Sequence, residues 1–237
     1  LPYYVSRANT SFQREAGQEG SAVRAEIVKI NSDSPESSLV KYAADQIRAG
    51  EVLGMPTDTF YGLAADPFNL RAVDRVYDIK TRSRHKPLSL LIESVDQAEE
   101  LAKALPEEFY ALARKYWPGP LTIIVKAGSR LPLKVTANTG NVALRVPNAK
   151  IPLAVVTAAA IPITATSANL SGAAECTTAE QVHAQLHGRI SIIVDGGNSP
   201  RDIPSTIIDL TDEGVRWRVM REGAIPADEI STFFAKG

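Results

Sequence analysis

The chain has 237 residues, 44% of them hydrophobic and 22% charged, with a formal net charge of -1. That balance suits a globular chain with a large buried core, and it excludes an overall basic field that would draw the protein onto nucleic acid or a membrane surface. The single cysteine, Cys176, excludes an internal disulfide, fits a reducing compartment, and is expected to be a surface or loop residue rather than a nucleophile.

Residues 1–24 show no sustained period and are expected to form a flexible arm, with one domain running from residue 25 to 237. Leu1 opens no signal-peptide pattern, and an upstream targeting segment stays open. No apolar run approaches the roughly 20 residues of a transmembrane helix, so a cytoplasmic location is the expectation. Ala25 to Ile30 alternates as an edge strand does. Ser34 and Pro35 suit a helix start. Leu39, Val40, Ala43, Ala44 and Ile47 then share one helical face, which Gly50 ends. Val52 to Met55 is a short apolar strand. After Pro56-Thr57-Asp58-Thr59 the chain is extended again from Phe60 to Ala65.

Leu70, Val73, Val76 and Tyr77 carry a helical period up to Lys80. Leu88 to Ile92 is a wholly apolar strand, as expected where both sheet faces are covered. Helices follow over Ser94 to Ala104 and Pro106 to Trp117, the second broken by Pro118-Gly119-Pro120. Leu121 to Lys126 is a β-branched strand, Ser129 to Gly140 a loop, and Val142 to Val146 a strand carrying Arg145. Ile151 to Ala160 is an apolar helix. Ile161 to Thr166 is a strand leading into Ser167-Ala168-Asn169. Thr177 to Leu186 is a helix, and Ile190 to Val194 a strand ending in Asp195-Gly196-Gly197. Ser205 to Leu210 and Val215 to Arg221 are strands, and Pro226 to Phe234 a closing helix. Strands and helices interleave throughout, so the expected class is α/β, a single-domain twisted open mixed sheet with flanking helices.

Three polar turns share one position, the end of an apolar strand: Thr57-Asp58-Thr59, Thr166-Ser167-Ala168-Asn169 and Asp195-Gly196-Gly197. Ligands of open α/β sheets sit beyond such strand ends, although each turn alone is also an ordinary place for Asp, Ser and Asn. Between Arg71 and Pro87 stand six Lys and Arg against Asp74 and Asp78. Arg suits bidentate phosphate binding and Lys a point charge; a solvated helix end is the other reading of this run. Arg145, inside an apolar strand, needs a partner or a ligand such as a carboxylate, unless it faces solvent.

Other chemistries lack their residues. Neither a P-loop nor a dinucleotide-binding fingerprint is present. His183 and His187 stand four apart on a helix with no third ligand nearby in sequence, so no metal site is expected. No Gly-x-Ser-x-Gly or Cys/His pairing suggests a covalent nucleophile.

Pro56-Thr57-Asp58-Thr59-Phe60-Tyr61-Gly62-Leu63, Lys80-x-Arg82 and Lys86-Pro87-Leu88 together resemble the signature of the YrdC family, the threonylcarbamoyl-AMP synthases. Pro118-Gly119-Pro120-Leu121-Thr122, Arg145-Val146-Pro147, Ser167-Ala168-Asn169-Leu170-Ser171-Gly172, Asp195-Gly196-Gly197, Ser205-Thr206-Ile207-Ile208-Asp209 and Arg221-x-Gly223 extend the likeness from about residue 25 to the end. It is a likeness to the short form that lacks a further C-terminal domain. The resemblance implies a YrdC/RibB-like fold with a large basic concave pocket. It implies synthesis of L-threonylcarbamoyladenylate and pyrophosphate from L-threonine, bicarbonate or CO2, and ATP, with Mg2+ accompanying the ATP. The product would pass to a separate transferase complex that modifies the tRNA adenosine beside the anticodon.

Carried over by position, Thr59, Arg145 and Ser205 would contact threonine, and Arg82, Lys86, Asn141, Ser167 and Arg221 would contact ATP. Lys80 and Arg82 would serve catalysis, Lys80 where the carboxylate derived from bicarbonate meets the α-phosphate, and Asn169 would orient the Ser167 turn at the ATP site. Leu91 stands where some relatives have His, Phe60 where Val or Leu is usual, and Glu175 where a small polar residue is usual. A carboxylate near phosphates is unfavourable, so Glu175 is expected either to face away or to meet a metal ion. Two rivals remain at this point: a non-catalytic module for double-stranded RNA or tRNA, and a carbamoyl-adenylate enzyme with another acceptor.

Overall fold

The computed structural model describes residues 25–212 and 214–235; the expected N-terminal arm lies outside them. Eleven strands divide between two mixed sheets. The first contains β1 (Glu26–Lys29), β2 (Leu53–Met55), β3 (Gly62–Ala64), β8 (Thr166–Ser167) and β9 (Ile192–Asp195), in the order β1-β9-β2-β3-β8. The second contains β4 (Ser89–Leu91), β5 (Leu121–Lys126), β6 (Asn141–Arg145), β7 (Ile163–Thr164), β10 (Thr206–Asp209) and β11 (Arg218–Arg221), in the order β11-β10-β5-β6-β4-β7. The α/β class and the mixed pairing agree with the sequence. The division into two sheets was not legible, because IPITAT looks like one strand. Ile163 and Thr164 pair with β4, whereas Thr166 and Ser167 pair with β3. Ala165 alone separates them, and its N–H bonds Ser89 O at 2.8 Å.

One apolar cluster lies between the first sheet and two helices, α1 (Ser37–Arg48) and α6 (Lys150–Ala159). Val40, Ala43, Ala44 and Ile47 meet Val155, Val156 and Ala159 there, the face that the periodicity marks. A larger cluster takes in the second sheet together with α2 (Leu70–Lys80), α3 (Val95–Leu101), α4 (Glu107–Tyr116) and α7 (Ala179–Leu186). A last helix, α8 (Ala227–Ala235), packs Ile230 against it.

Several local expectations need correction. The first helix starts at Ser37 and not at Ser34-Pro35. Asn31 Oδ1 accepts the N–H groups of Asp33 and Ser34, and Glu36 Oε2 accepts that of Asn31, so these residues close a turn ahead of the helix. The expected loop over Ser129 to Gly140 contains a one-turn helix, α5 (Leu133–Thr136), too short to show a period. It buries Val135 and ends in left-handed Ala137 and Asn138. Leu70, which fits the apolar period, is exposed in the first turn of α2. Cys176 does lie in a loop but not at the surface: its side chain is wholly buried in the larger cluster, and burial pushes its thiol pKa up to about 11. A thiol held protonated in this way is inert.

Candidate active site

The hairpin β2–β3 turns through residues 56–61, and this turn forms one wall of a cavity. Thr57 Oγ accepts the Thr59 N–H at 3.1 Å and donates to Phe60 O at 2.7 Å. A hydroxyl bonding its own backbone two residues on is what fixes such a turn. The turn faces the end of β6, where Arg145 is buried. Arg145 Nε donates to Gly119 O at 3.0 Å, one terminal nitrogen to Thr59 Oγ1 at 3.1 Å, and the other to Asp58 Oδ1. The partner that a guanidinium inside a strand requires is therefore Asp58, 87 residues away in sequence. Arg carries five N–H donors, and these bonds use three, which leaves two for a ligand. Asp58 Oδ2 is buried with no partner among the described residues.

Period two along β6 places Asn141, Ala143 and Arg145 on one face, and Ala143 and Arg145 line the cavity. Thr122 and Ile124 of β5 and Ile207 of β10 continue this floor. Ser205, just before β10, shares a 2.9 Å hydrogen bond with Thr122 Oγ1. Arg221, at the end of β11, donates to Ser205 O at 2.7 Å and to Ser205 Oγ at 3.0 Å.

The Arg221-x-Gly223 spacing has a steric origin. Gly223 passes so close to the neighbouring backbone that a Cβ there would stand 2.2 Å from Pro204 O and 2.8 Å from Ser205 O. Gly223→Ala is thus expected to lower stability by about 1–3 kcal/mol, the usual cost of overpacking, by pushing the Ser205 segment from Arg221. Thermal melting checks it, and an unchanged Tm would contradict this contact.

The cation run after α2 separates into different roles. Arg82 lines the cavity, donates to Pro87 O at 3.1 Å, and has a buried Nε with no partner among the described residues. Burial lowers its pKa from the usual guanidinium value. Arg84 instead pairs with Asp74 and Asp78 at the surface, and Lys86 is exposed. Lys80 turns inward at the end of α2 and is 2% exposed. Its ammonium donates to Ser167 O, to Asn169 O at 2.8 Å and to Asn169 Oδ1 at 2.9 Å. Burial lowers its pKa to about 8, with the Arg82 charge adding to the effect and Glu175 and Cys176 opposing it. Ser167 Oγ donates to Asn169 Oδ1 at 2.7 Å, so the turn after β8 is organised around this ammonium.

Thr59, Arg82, Arg145, Ser167, Ser205 and Arg221 therefore line one cavity of about 300 Å³, opened between the two sheets. Lys80 and Asn169 stand behind its Ser167 edge. Lys86 is outside it, and Asn141 follows Ala143 on the same face without lining it. Asn141 Nδ2 bonds Thr211 Oγ1 at 3.3 Å, and its Oδ1 is buried without a partner among the described residues. Asp195-Gly196-Gly197 is not part of this cavity; Tyr61 OH donates to Gly197 O at 2.6 Å, and Gly196 lines a separate hollow behind the Pro56–Asp58 turn. Sequence reasoning missed the roles of Asp58 and Thr122, although both lie inside motifs it picked out. Leu91 and Glu175 both face the cavity.

Three guanidiniums, several hydroxyl-bearing side chains and a helix-end ammonium behind them suit two anionic groups held side by side. Nothing in the set is an activated nucleophile; the cavity binds, aligns and neutralises.

The family model Sua5/YciO/YrdC, described as telomere recombination, matches residues 45–223. The chain is 38% identical over 193 residues to the threonylcarbamoyl-AMP synthase of Pyrococcus abyssi, covering 81% of this chain and 56% of that one. It is 36% identical over 203 residues to the threonylcarbamoyl-AMP synthase of Bacillus subtilis, covering 85% and 57%. It thus spans little more than half the length of these curated relatives. The crystal structure of P. abyssi Sua5 complexed with L-threonine superposes with a TM-score of 0.84 at 36% identity, covering 88% of this chain and 61% of that one.

Proposed function

Because this chain belongs to the Sua5/YciO/YrdC family, we propose that its cavity forms L-threonylcarbamoyladenylate and pyrophosphate from L-threonine, bicarbonate or CO2, and ATP. The observation that carries this reading is the convergence of Arg145 with Thr59, Arg82, and Arg221 with Ser205 on one cavity. The two spare donors of Arg145 and the Thr59 hydroxyl suit the threonine carboxylate, with Ser205 beside them. Arg82, Arg221 and Ser167 suit the triphosphate, and Asn141 stands at the continuation of the same floor. The threonine amine attacks the carbon of CO2 and gives up a proton to solvent, leaving an N-carboxylate; from bicarbonate that proton instead leaves with the displaced hydroxide as water. An oxygen of that carboxylate attacks the α-phosphorus, and pyrophosphate departs.

The two reacting groups are both anions, so the main task is to hold them together against repulsion while charge builds on the α-phosphate. Arg82 and Arg221 do this directly, and Lys80 keeps the Ser167 turn in place beside them. Among the described residues no group of three or more His, Cys, Asp or Glu could hold a metal ion. A Mg2+ entering with the triphosphate would meet one carboxylate in the cavity, Glu175, and would neutralise phosphate charge there. Among the described residues no helix is long and apolar enough to cross a membrane. The product would be handed, in the cytoplasm, to a transferase that modifies the tRNA adenosine next to the anticodon.

The test is pyrophosphate release by purified protein given threonine, bicarbonate and ATP, with the adenylate identified by mass spectrometry. Release that needs each of the three substrates supports the reading. Release without threonine points to another acceptor. No release, with RNA binding that weakens steeply with salt, would point to an RNA-binding module instead.

A further inference from the structure

The cavity that gathers three guanidiniums contains a single carboxylate among its lining residues, that of Glu175. Its backbone is fixed from both sides. Asn169 Nδ2 donates to Ala173 O at 2.7 Å, Gln185 Nε2 to Ala174 O at 2.9 Å, and the Tyr61 N–H to Cys176 O at 2.8 Å. The buried Cys176 side chain anchors the next position in the core. Glu175 thus lines the cavity from a loop whose backbone is held at Ala173, Ala174 and Cys176.

No ion pair among the described residues includes Glu175, although Arg82, Arg145 and Arg221 line the same cavity and Lys80 lies behind it. Its charge still reaches them: burial lowers the pKa of both Lys80 and Arg221, and Glu175 acts in the opposite sense on each. An unpaired carboxylate fixed beside a phosphate site repels a bare triphosphate. It attracts a triphosphate that carries a divalent cation. Mg2+ is commonly held by one or two protein carboxylates together with substrate phosphates, keeping several waters. One preset carboxylate fits that pattern.

We propose that Glu175 makes this cavity selective for the magnesium complex of ATP over free ATP, by contacting the metal directly or through one of its waters. The proposal rests on the ATP-dependent reading above. The roles are divided: the guanidiniums hold the phosphate oxygens, and Glu175 reads whether the metal is present.

Calorimetric titration of ATP in excess Mg2+ and in EDTA, without threonine, separates the possibilities for the wild type, Glu175→Gln and Glu175→Ser. In the wild type, MgATP is expected to bind roughly ten- to a hundredfold more tightly than free ATP, the range one nearby charge produces. In both variants that ratio falls toward one, chiefly because free ATP binds more tightly. An unchanged ratio in both variants, with ATP still bound, overturns the proposal and leaves the ATP reading standing. Failure of the wild type to bind either form overturns the ATP reading and the proposal together.

Discussion

Arg82→Ala lowers kcat/KM for ATP by about 10²–10³-fold, the usual cost of removing one preset charge-stabilising group, while the melting temperature hardly moves. Arg82 lines the cavity, makes one hydrogen bond within the described protein, to Pro87 O, and keeps a buried Nε without a partner. A half-buried cation with so little internal compensation contributes little to folding and much to an anionic ligand. Arg84→Ala is the internal control, because Arg84 spends its charge on Asp74 and Asp78 at the surface. Exposed pairs of that kind contribute about 0–1 kcal/mol, and turnover should be unchanged. Steady-state kinetics on the two variants decide the matter. Equal losses would mean that the whole run acts as a diffuse basic patch and that Arg82 has no private role.

Lys80→Met behaves differently, losing both stability and activity. The ammonium joins α2 to the Ser167–Asn169 turn through bonds to Ser167 O, Asn169 O and Asn169 Oδ1. A thioether of similar length fills the space but removes the Lys80 donor from Ser167 O and Asn169 O, at about 1–3 kcal/mol each, while Asn169 Oδ1 keeps the Ser167 hydroxyl. Removal of a buried charge offsets part of that cost, since a pKa lowered to about 8 corresponds to a burial penalty on the order of 3 kcal/mol. The net expectation is a loss of about 2 kcal/mol and, through the displaced Ser167 turn, a large loss of turnover.

The pH dependence has a definite sign. The folded-state pKa of Lys80 lies below its unfolded value, so between about pH 8 and 10.5 the unfolded chain holds the extra proton. Stability contributed by this residue therefore grows as pH rises through that window and is lost as pH falls through about 8. Denaturant titrations across the window should show the wild type gaining on Lys80→Met. A constant difference would mean that the folded-state pKa of Lys80 is not lowered from its unfolded value.

Two of the three strand–turn positions picked out in the sequence line the cavity, with Thr57 and Thr59 and with Thr166 and Ser167; each turn alone is ordinary, and their recurrence at apolar strand ends is what made them legible. Arg145 stood out because a charge inside VALRV demands an explanation. Its partner could not be found locally, since the Asp58 pair depends on how two sheets meet and not on any spacing. The inward turn of Lys80 did leave a trace. Val73, Val76, Tyr77 and Lys80 follow one helical stripe, so Lys80 occupies a place where the next core residue would stand. Division of the cation run was not legible, because Arg82 and Arg84 differ only in which way each points. The change of sheet at Ala165 was hidden as well, since two-residue strands have no period to read.

That change of sheet has a mechanical consequence. The cavity lies along the seam, with Thr59 and Ser167 on the five-stranded side and Arg145, Ser205 and Arg221 on the six-stranded side. The seam is crossed by the Ala165 link, by the Thr164 bonds to Leu63 O and Ala65 O, and by the Arg145 contacts to Asp58 and Thr59. Substrates that touch both rims act as sutures. They should slow amide exchange in both sheets together, adding to the packing that already joins them.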